Sequence, residues 1–336
     1  MWRPEKHHFV AIPFCAVLSA GNPSTVQAAD PQPDVCALLV ENDLFGSGTD
    51  QHYTHGTRIT CIAAPNQVPT WAKRNAETVH GEATRSLSYV FALGQNIYTP
   101  EDITRTIPDP NDRPYAGWTY VSLGVVAEDT ARNLLHNLSL DVGIVGDLSL
   151  AGETQTRWHE LIGATKPEGW DHQLKNEPGI VLTYQASRPT PIDLGMDWLE
   201  LDVTPSAGVA LGNVETYASL GIMGRLGTHL DIDYGPPRIR PSLPGAGLVK
   251  RDDSWGWYVF GGVQGRAVAR NIFLDGNTFQ DSPSVERLPF IADIQAGVAV
   301  TYGQFRLSYT QIIRTKEFKT QEGFNRFGAL TFSFFF

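Results

Sequence analysis

Glu41-Asn42-Asp43 is a run of hard oxygen donors. A divalent cation such as Ca²⁺ collects about six to eight such oxygens from carboxylates, carbonyls and water, although an Asn-Asp pair is equally a turn signal. His159 stands within Glu153-Thr-Gln-Thr-Arg-Trp-His-Glu-Leu-Ile-Gly163, and an imidazole that titrates near neutrality can take a proton from water. A single loop histidine is more often solvated or a cap. Thr54-His55-Gly56, Gln95-Asn96 and Asp112-Arg113 are further polar clusters. No Gly-x-Ser-x-Gly elbow and no Cys-x-x-Cys or His-Glu-x-x-His zinc pattern occurs. If the set catalyses hydrolysis, metal-assisted attack by water is the more economical chemistry.

The elements that would position these residues are strands. Leu87, Tyr89, Phe91 and Leu93 alternate with Ser88, Val90, Ala92 and Gly94, and Leu138, Leu140, Val142 and Ile144 alternate with Ser139, Asp141 and Gly143. Phe290, Ala292, Ile294, Ala296, Val298 and Val300 share one face, opposite Asp293, Gln295, Gly297 and Thr301. A soluble sandwich would carry Lys and Glu on its polar faces, whereas these carry Gly, Ser, Thr and Asp. Apolar-out, small-polar-in strands about 10 residues long are the mark of a transmembrane antiparallel β-barrel. The final strand places Leu330, Phe332, Phe334 and Phe336 on one face and ends the chain on Phe, which resembles the assembly signal of bacterial outer-membrane barrels.

About twelve strands are expected, near 34–42, 54–63, 86–96, 116–127, 134–146, 179–186, 197–210, 214–225, 255–266, 289–302, 305–314 and 326–336. An even number suits a single-chain barrel. The Pro-rich stretch from Gly235 to Leu243 falls in a connection that parity places on the periplasmic side, where the count is least secure. With a periplasmic N-terminus, Asn42-Asp43, Thr54-His55, Gln95-Asn96, Asp112-Arg113 and the 147–178 connection all meet at the extracellular rim. In that connection Glu153 to Gly163 reads as a short helix stopped by Gly163, with Trp158, Leu161 and Ile162 facing the barrel and His159 beside them.

Composition bounds the remainder. The 336 residues carry 26 Lys+Arg against 36 Asp+Glu, a net charge of −10 that argues against a nucleic-acid partner. The 42% hydrophobic fraction excludes a disordered chain, and no apolar run is long enough for a membrane-spanning helix. Arg3 and Lys6 ahead of the apolar stretch Phe9 to Ala20, with small residues near Ala28-Ala29, read as a secretory signal peptide over residues 1–29. A single barrel domain over 30–336 follows. Cys36 and Cys61 then lie in an oxidising compartment, and a hairpin centred near Gly48 sets them nearly opposite each other, as a bridge or as two buried small side chains.

The residues resemble the outer-membrane lipid A 3′-O-deacylases over most of the mature chain. The resemblance is carried by Asn42-Asp43, Tyr53-Thr54-His55-Gly56, Gln95-Asn96-Ile97-Tyr98-Thr99-Pro100, Asp112-Arg113, and Gly143-Ile144-Val145-Gly146 leading to Gln155, His159, Ile162-Gly163 and Trp170. It implies a calcium-dependent esterase on a twelve-stranded barrel, with lipid A of lipopolysaccharide as substrate and a site between the barrel wall and a short helix. Asn42 and Asp43 would match the family's Asn-Asp pair and hold the metal, Thr54 its active-site threonine, and His159 its general base. Ca²⁺ would stabilise the oxyanion, Arg105 or Arg113 would bind the sugar phosphates, and a monomer is expected. Two positions depart: Thr165 stands where the family has a functional glutamate, which neither Glu160 nor Glu168 replaces in register, and a functional lysine falls near Thr104 or Arg105. Two alternatives remain. A barrel phospholipase would need a serine nucleophile, and the absence of a serine beside the His159 helix counts against it; a non-enzymatic pore or binding barrel is the other.

Overall fold

The computed structural model describes residues 35–45, 52–63, 84–129, 132–196, 198–230, 235 and 252–336. The signal peptide expected over 1–29 and nearly all of the Pro-rich stretch lie outside the described residues. Gln32–Phe336 forms one compact unit.

Alternation of period two produces the strands β1 (Val35–Asn42), β2 (His52–Ala63), β3 (Thr84–Thr99), β4 (Ala116–Asp129), β5 (Leu134–Val145), β6 (Glu177–Ser187), β7 (Thr190–Ile192), β8 (Glu200–Gly212), β9 (Glu215–Gly227), β10 (Asp252–Asn271), β11 (Phe290–Gly303), β12 (Phe305–Arg314) and β13 (Asn325–Phe335). Twelve of them pair antiparallel in a closed ring: β1 pairs β13, and β6 pairs β8 past the three-residue β7, which extends only the β8 edge. Closing the ring pairs the first strand with the last, which is how a wall in hydrocarbon satisfies its backbone groups. All twelve expected strands are present; β7 was not expected.

The outer surface is apolar. Leu38 on β1, Ile59 on β2, Leu93 on β3 and Val121 on β4 are 40–49% exposed, while the intervening Leu39, Ala92, Tyr120 and Ser122 are buried. Trp255 stacks on Tyr302 and Phe305 on Phe332 at the end of the barrel away from the helix described next, as an aromatic girdle would. Cys36 and Cys61 are register partners on β1 and β2 and form a disulfide, which resolves the alternatives left by the sequence in favour of the bridge.

Among the described residues two α-helices complete the fold, α1 (Ala151–Ile162) and α2 (Ile272–Asp275). Helix α1 rests on β4 and β3. Helix α2 turns inward: Ile272, Phe273 and Leu274 are 0–1% exposed, and Phe273 stacks on Tyr98 at 4.1 Å. The turn therefore fills part of the barrel interior at the rim that carries α1.

Candidate active site

Asn42, the last residue of β1, shares its outward parity with Leu38. Its Oδ1 accepts from the Leu44 amide at 2.8 Å, which makes it an Asx turn, and its Nδ2 lies 3.2 Å from His55 Nδ1. His55 Nε2 is 2.7 Å from Thr57 Oγ1. One tautomer satisfies both contacts: Asn42 donates to Nδ1, and Nε2–H donates to Thr57. Thr57 is in register with Gln95, and Gln95 with Thr119. Gln95 Nε2–H donates to Thr119 Oγ1 at 3.2 Å and to the Ser149 carbonyl at 2.7 Å, which also accepts from Thr119 at 2.7 Å. A polar strip thus crosses four strands on the outside of the wall, directly above lipid-facing Ile59, Leu93 and Val121.

Helix α1 docks at the far end of this strip. Its approach requires Gly117 on β4, because a Cβ there would come within 2.1 Å of Ser149 Oγ and 2.3 Å of Ala151 Cβ. Ala151, Gln155 and His159, spaced by four, form the buried face of the helix. Gln155 Oε1 accepts from the Trp170 indole at 2.8 Å, which ties the helix to the segment behind it. Gly163, with φ of +70°, ends the helix in the left-handed region, as the sequence indicated. The turn that follows brings the Thr165 carbonyl onto His159, where it accepts from Nδ1–H at 2.5 Å. A carbonyl can only accept, so Nδ1 carries the proton and Nε2 is the lone-pair nitrogen, the form a general base requires.

The orientation of α1 reverses one expectation. Trp158, Leu161 and Ile162 do not face the barrel; they are 53%, 76% and 47% exposed, and the polar Gln155 and His159 face the wall instead. The wall beside the helix is itself polar at this level, and hydrocarbon lies on the other side.

The remaining candidates separate. Thr54 is the extra residue of a β-bulge between the pairs Tyr53↔Tyr98 and His55↔Ile97, and its hydroxyl is 2.7 Å from that of Thr99. Asp43 begins a short 3₁₀ turn and is wholly buried. Arg105 is exposed and paired with Asp109 at 3.1 Å. Arg113 corrects its assignment: it is 0% exposed, points into the barrel 3.5 Å from Glu317, and lies over the Tyr98 ring at 4.8 Å, so it cannot meet a substrate phosphate outside. Glu317 also contacts Arg314, which grips Asp293 through two bonds of 2.8 and 3.0 Å. Burial acts to raise the Glu317 carboxyl, yet Arg314, Arg113 and Arg266 together hold it below its ordinary value.

Calcium fits the donors in kind. Asn42 Oδ1 and the Asp43 carboxylate are hard oxygens at one strand end, but among the described residues no three His, Cys, Asp or Glu side chains gather as a metal site. Carbonyls, hydroxyls, water or substrate oxygens must complete such a shell. Ser149 stands just ahead of α1, so the sequence's count of no serine beside the helix needs correcting. It is nevertheless no partner for His159, since eight residues of helix, about 12 Å, separate Ala151 from His159.

A protein-family model described as outer membrane protein LpxR matches residues 11–336. The chain belongs to the LpxR family. Among solved structures, LpxR from Salmonella typhimurium superposes with a TM-score of 0.75 at 22% identity, covering 90% of this chain and 100% of that one. The β domain of the Bordetella autotransporter BrkA follows at 0.44 and 10% identity, covering 91% of this chain and 100% of that one. The translocator domain of NalP from Neisseria meningitidis gives 0.39 and 10%, covering 90% and 88%. No curated protein matches in sequence. Membership in the LpxR family accounts for the barrel and places the chain in the outer membrane, as the resemblance implied. His55, Thr57 and Gln95 belong to the LpxR-type wall without having been assigned roles from sequence; their signal was polar residues at outward parity in strands otherwise greasy on that face.

Proposed function

We propose that this LpxR-family barrel is an outer-membrane lipid A 3′-O-deacylase that hydrolyses an acyloxyacyl ester, with its site at the extracellular rim. The observation that carries the reading is His159, held as the Nδ1–H tautomer by the Thr165 carbonyl and turned toward the outside of the wall. His159 Nε2 takes the proton of a water as it attacks the ester, and returns it to the leaving alkoxide. Asn42 and Asp43 would hold Ca²⁺, which would supply Lewis-acid polarisation and a positive charge beside the ester. Thr54, with Thr99, orients water or substrate at the rim. Arg105 binds a sugar phosphate. Acyl chains lie along Ile59, Leu93 and Val121, so substrate reaches the site by lateral diffusion and never enters the lumen.

Ser149 stands at the wrong end of α1 for the phospholipase alternative. The pore alternative is opposed by the ion-paired interior and by Phe273 stacked on Tyr98. Incubation of the refolded protein with lipid A, in Ca²⁺ or in EDTA, tests the reading by product mass. Loss of one acyloxyacyl unit only with Ca²⁺ is expected. No mass change in either condition, with steady conductance in liposomes, would replace the enzyme with a pore.

A further inference from the structure

A second surface of the wall, on β6 and β8 to β11, has a shape that the reaction does not use. A cavity of about 1000 Å³ opens on the lipid-facing side there. Strand register shows how it is made. Tyr184, Val209, Ala218, Ala267 and Phe290 are successive cross-strand partners on β6, β8, β9, β10 and β11. The neighbouring row of the same parity is Ala186, Ala207, Leu220, Gly265 and Ala292. Six of these ten side chains are Ala or Gly; Tyr184 and Phe290 stand at the two ends of the first row, Val209 and Leu220 rise within the rows, and the small residues between them leave the wall recessed in a trough. Five strands about 4.8 Å apart make it roughly 19 Å long.

Strand tilt sets its direction. Phe290 and Ala292 begin β11 at the rim that carries α1, whereas Tyr184 and Ala186 end β6 near the opposite rim. The trough therefore descends obliquely across the membrane, as barrel rungs must when strands tilt by about 40°. At its upper end stand Phe324, 58% exposed, and the exposed Lys316, which forms no ion pair among the described residues. A cation at headgroup level above a descending apolar channel is complementary to one class of molecule, an amphiphile with an anionic head and a long hydrocarbon tail.

We propose that this trough is a second lipid site. It holds an acyl chain of a phosphorylated outer-leaflet glycolipid, with the phosphate on Lys316, around the barrel from the α1 face. The trough rests on the barrel and its orientation, not on hydrolysis, and the glycolipid is chosen because it is the anionic amphiphile that the proposed function places beside this wall.

Native mass spectrometry of the detergent-solubilised full chain carrying His159→Ala, titrated with lipid A, with enzymatically dephosphorylated lipid A, or with phosphatidylethanolamine, tests the proposal. Two bound lipid A molecules are expected. Gly265→Leu with Ala267→Leu fills the trough, and a Cβ at Gly265 meets nothing within 4 Å, so folding is not opposed by a clash at that position. That variant should lose one of the two molecules, with at least a tenfold rise in the lipid concentration needed for the second, while barrel heat-modifiability is retained. Lys316→Glu should weaken the second molecule only for the phosphorylated form. Equal retention by all variants, equal binding of phosphatidylethanolamine, or a dimer of the chain in place of a second adduct would overturn the proposal. Failure of the deacylase reading would appear instead as unchanged product mass in the wild type, with the second adduct still present.

Discussion

The α1 rim carries polar groups on both sides of one wall, and the two sides are built differently. Outside, Asn42, His55, Thr57, Gln95 and Thr119 form a strip of neutral hydrogen bonds that ends on the Ser149 carbonyl, just ahead of α1. Inside, Arg113, Glu317, Arg314 and Asp293 are fully buried opposite charges locked by direct ion pairs. Neutral groups of either donor or acceptor character can exchange partners with water or substrate at small cost, whereas a buried ion pair with one member removed leaves an uncompensated charge. Groups that can exchange partners thus lie on the outer side of the wall, and the paired charges lie inside the barrel.

The widest separation between the two sides comes from His159→Ala. It should lower lipid A hydrolysis by about 10²- to 10⁴-fold, the usual contribution of a general base, and leave heat-modifiability and urea unfolding unchanged. An unchanged rate, followed by product mass, would take His159 out of the mechanism. Arg113→Ala should do the converse. It should cost about 3–5 kcal/mol in urea unfolding through the stranded Glu317 carboxylate, while the rate per folded molecule stays near that of the wild type. Replacing both partners, Arg113→Met with Glu317→Leu, should restore most of that loss, because apolar groups of similar size fill the space without a buried charge. A large fall in rate per folded Arg113→Ala molecule would return Arg113 to substrate binding.

The same interior predicts an acid limb. The Glu317 carboxyl is held below its ordinary value when folded, so its stabilising contribution is fully present above the unfolded carboxylate range and is lost as pH falls through the lower folded value. Unfolding free energy of the wild type should therefore decline below about pH 4.5 more steeply than that of the Arg113→Met, Glu317→Leu variant. Parallel declines in the two proteins would assign the acid sensitivity to other carboxylates.

Much of this contrast was legible before the fold was known, and the exceptions have a common cause. Period two indicated twelve strands, and the hairpin centred near Gly48 set Cys36 one residue from the pairing with Cys61 that the disulfide fixes. Gly163 marked the helix end. The orientation of α1 was misread because apolar residues were assumed to face the protein, a rule that holds in water and inverts on the outside of a membrane wall. Trp158, Leu161 and Ile162 obey the inverted rule, as Leu38 and Leu93 do in the strands. Arg113 was misplaced for a different reason: its partner Glu317 is 204 residues away in sequence, and only barrel closure brings the two loops together. The inward α2 left a signal in Ile272-Phe273-Leu274, an apolar run directly after a strand.

The smallest effect belongs to Thr165, and it bears most closely on how the base is held. Where the resemblance implies a glutamate, this chain orients His159 through a backbone carbonyl, which any residue supplies. Thr165→Ala should therefore change the hydrolysis rate by no more than about twofold. Gly163→Ala should have a larger effect, since a left-handed residue with a Cβ costs roughly 1–2 kcal/mol and the turn it distorts is the one that delivers the carbonyl to Nδ1. The decisive readout is the pair of rates per folded molecule. If the carbonyl positions the imidazole, Gly163→Ala lowers the hydrolysis rate, while Thr165→Ala leaves it in place. A tenfold loss in Thr165→Ala with an intact Gly163 turn would transfer the role to the threonine hydroxyl and make position 165 a side-chain site, as the resemblance to the deacylases implies.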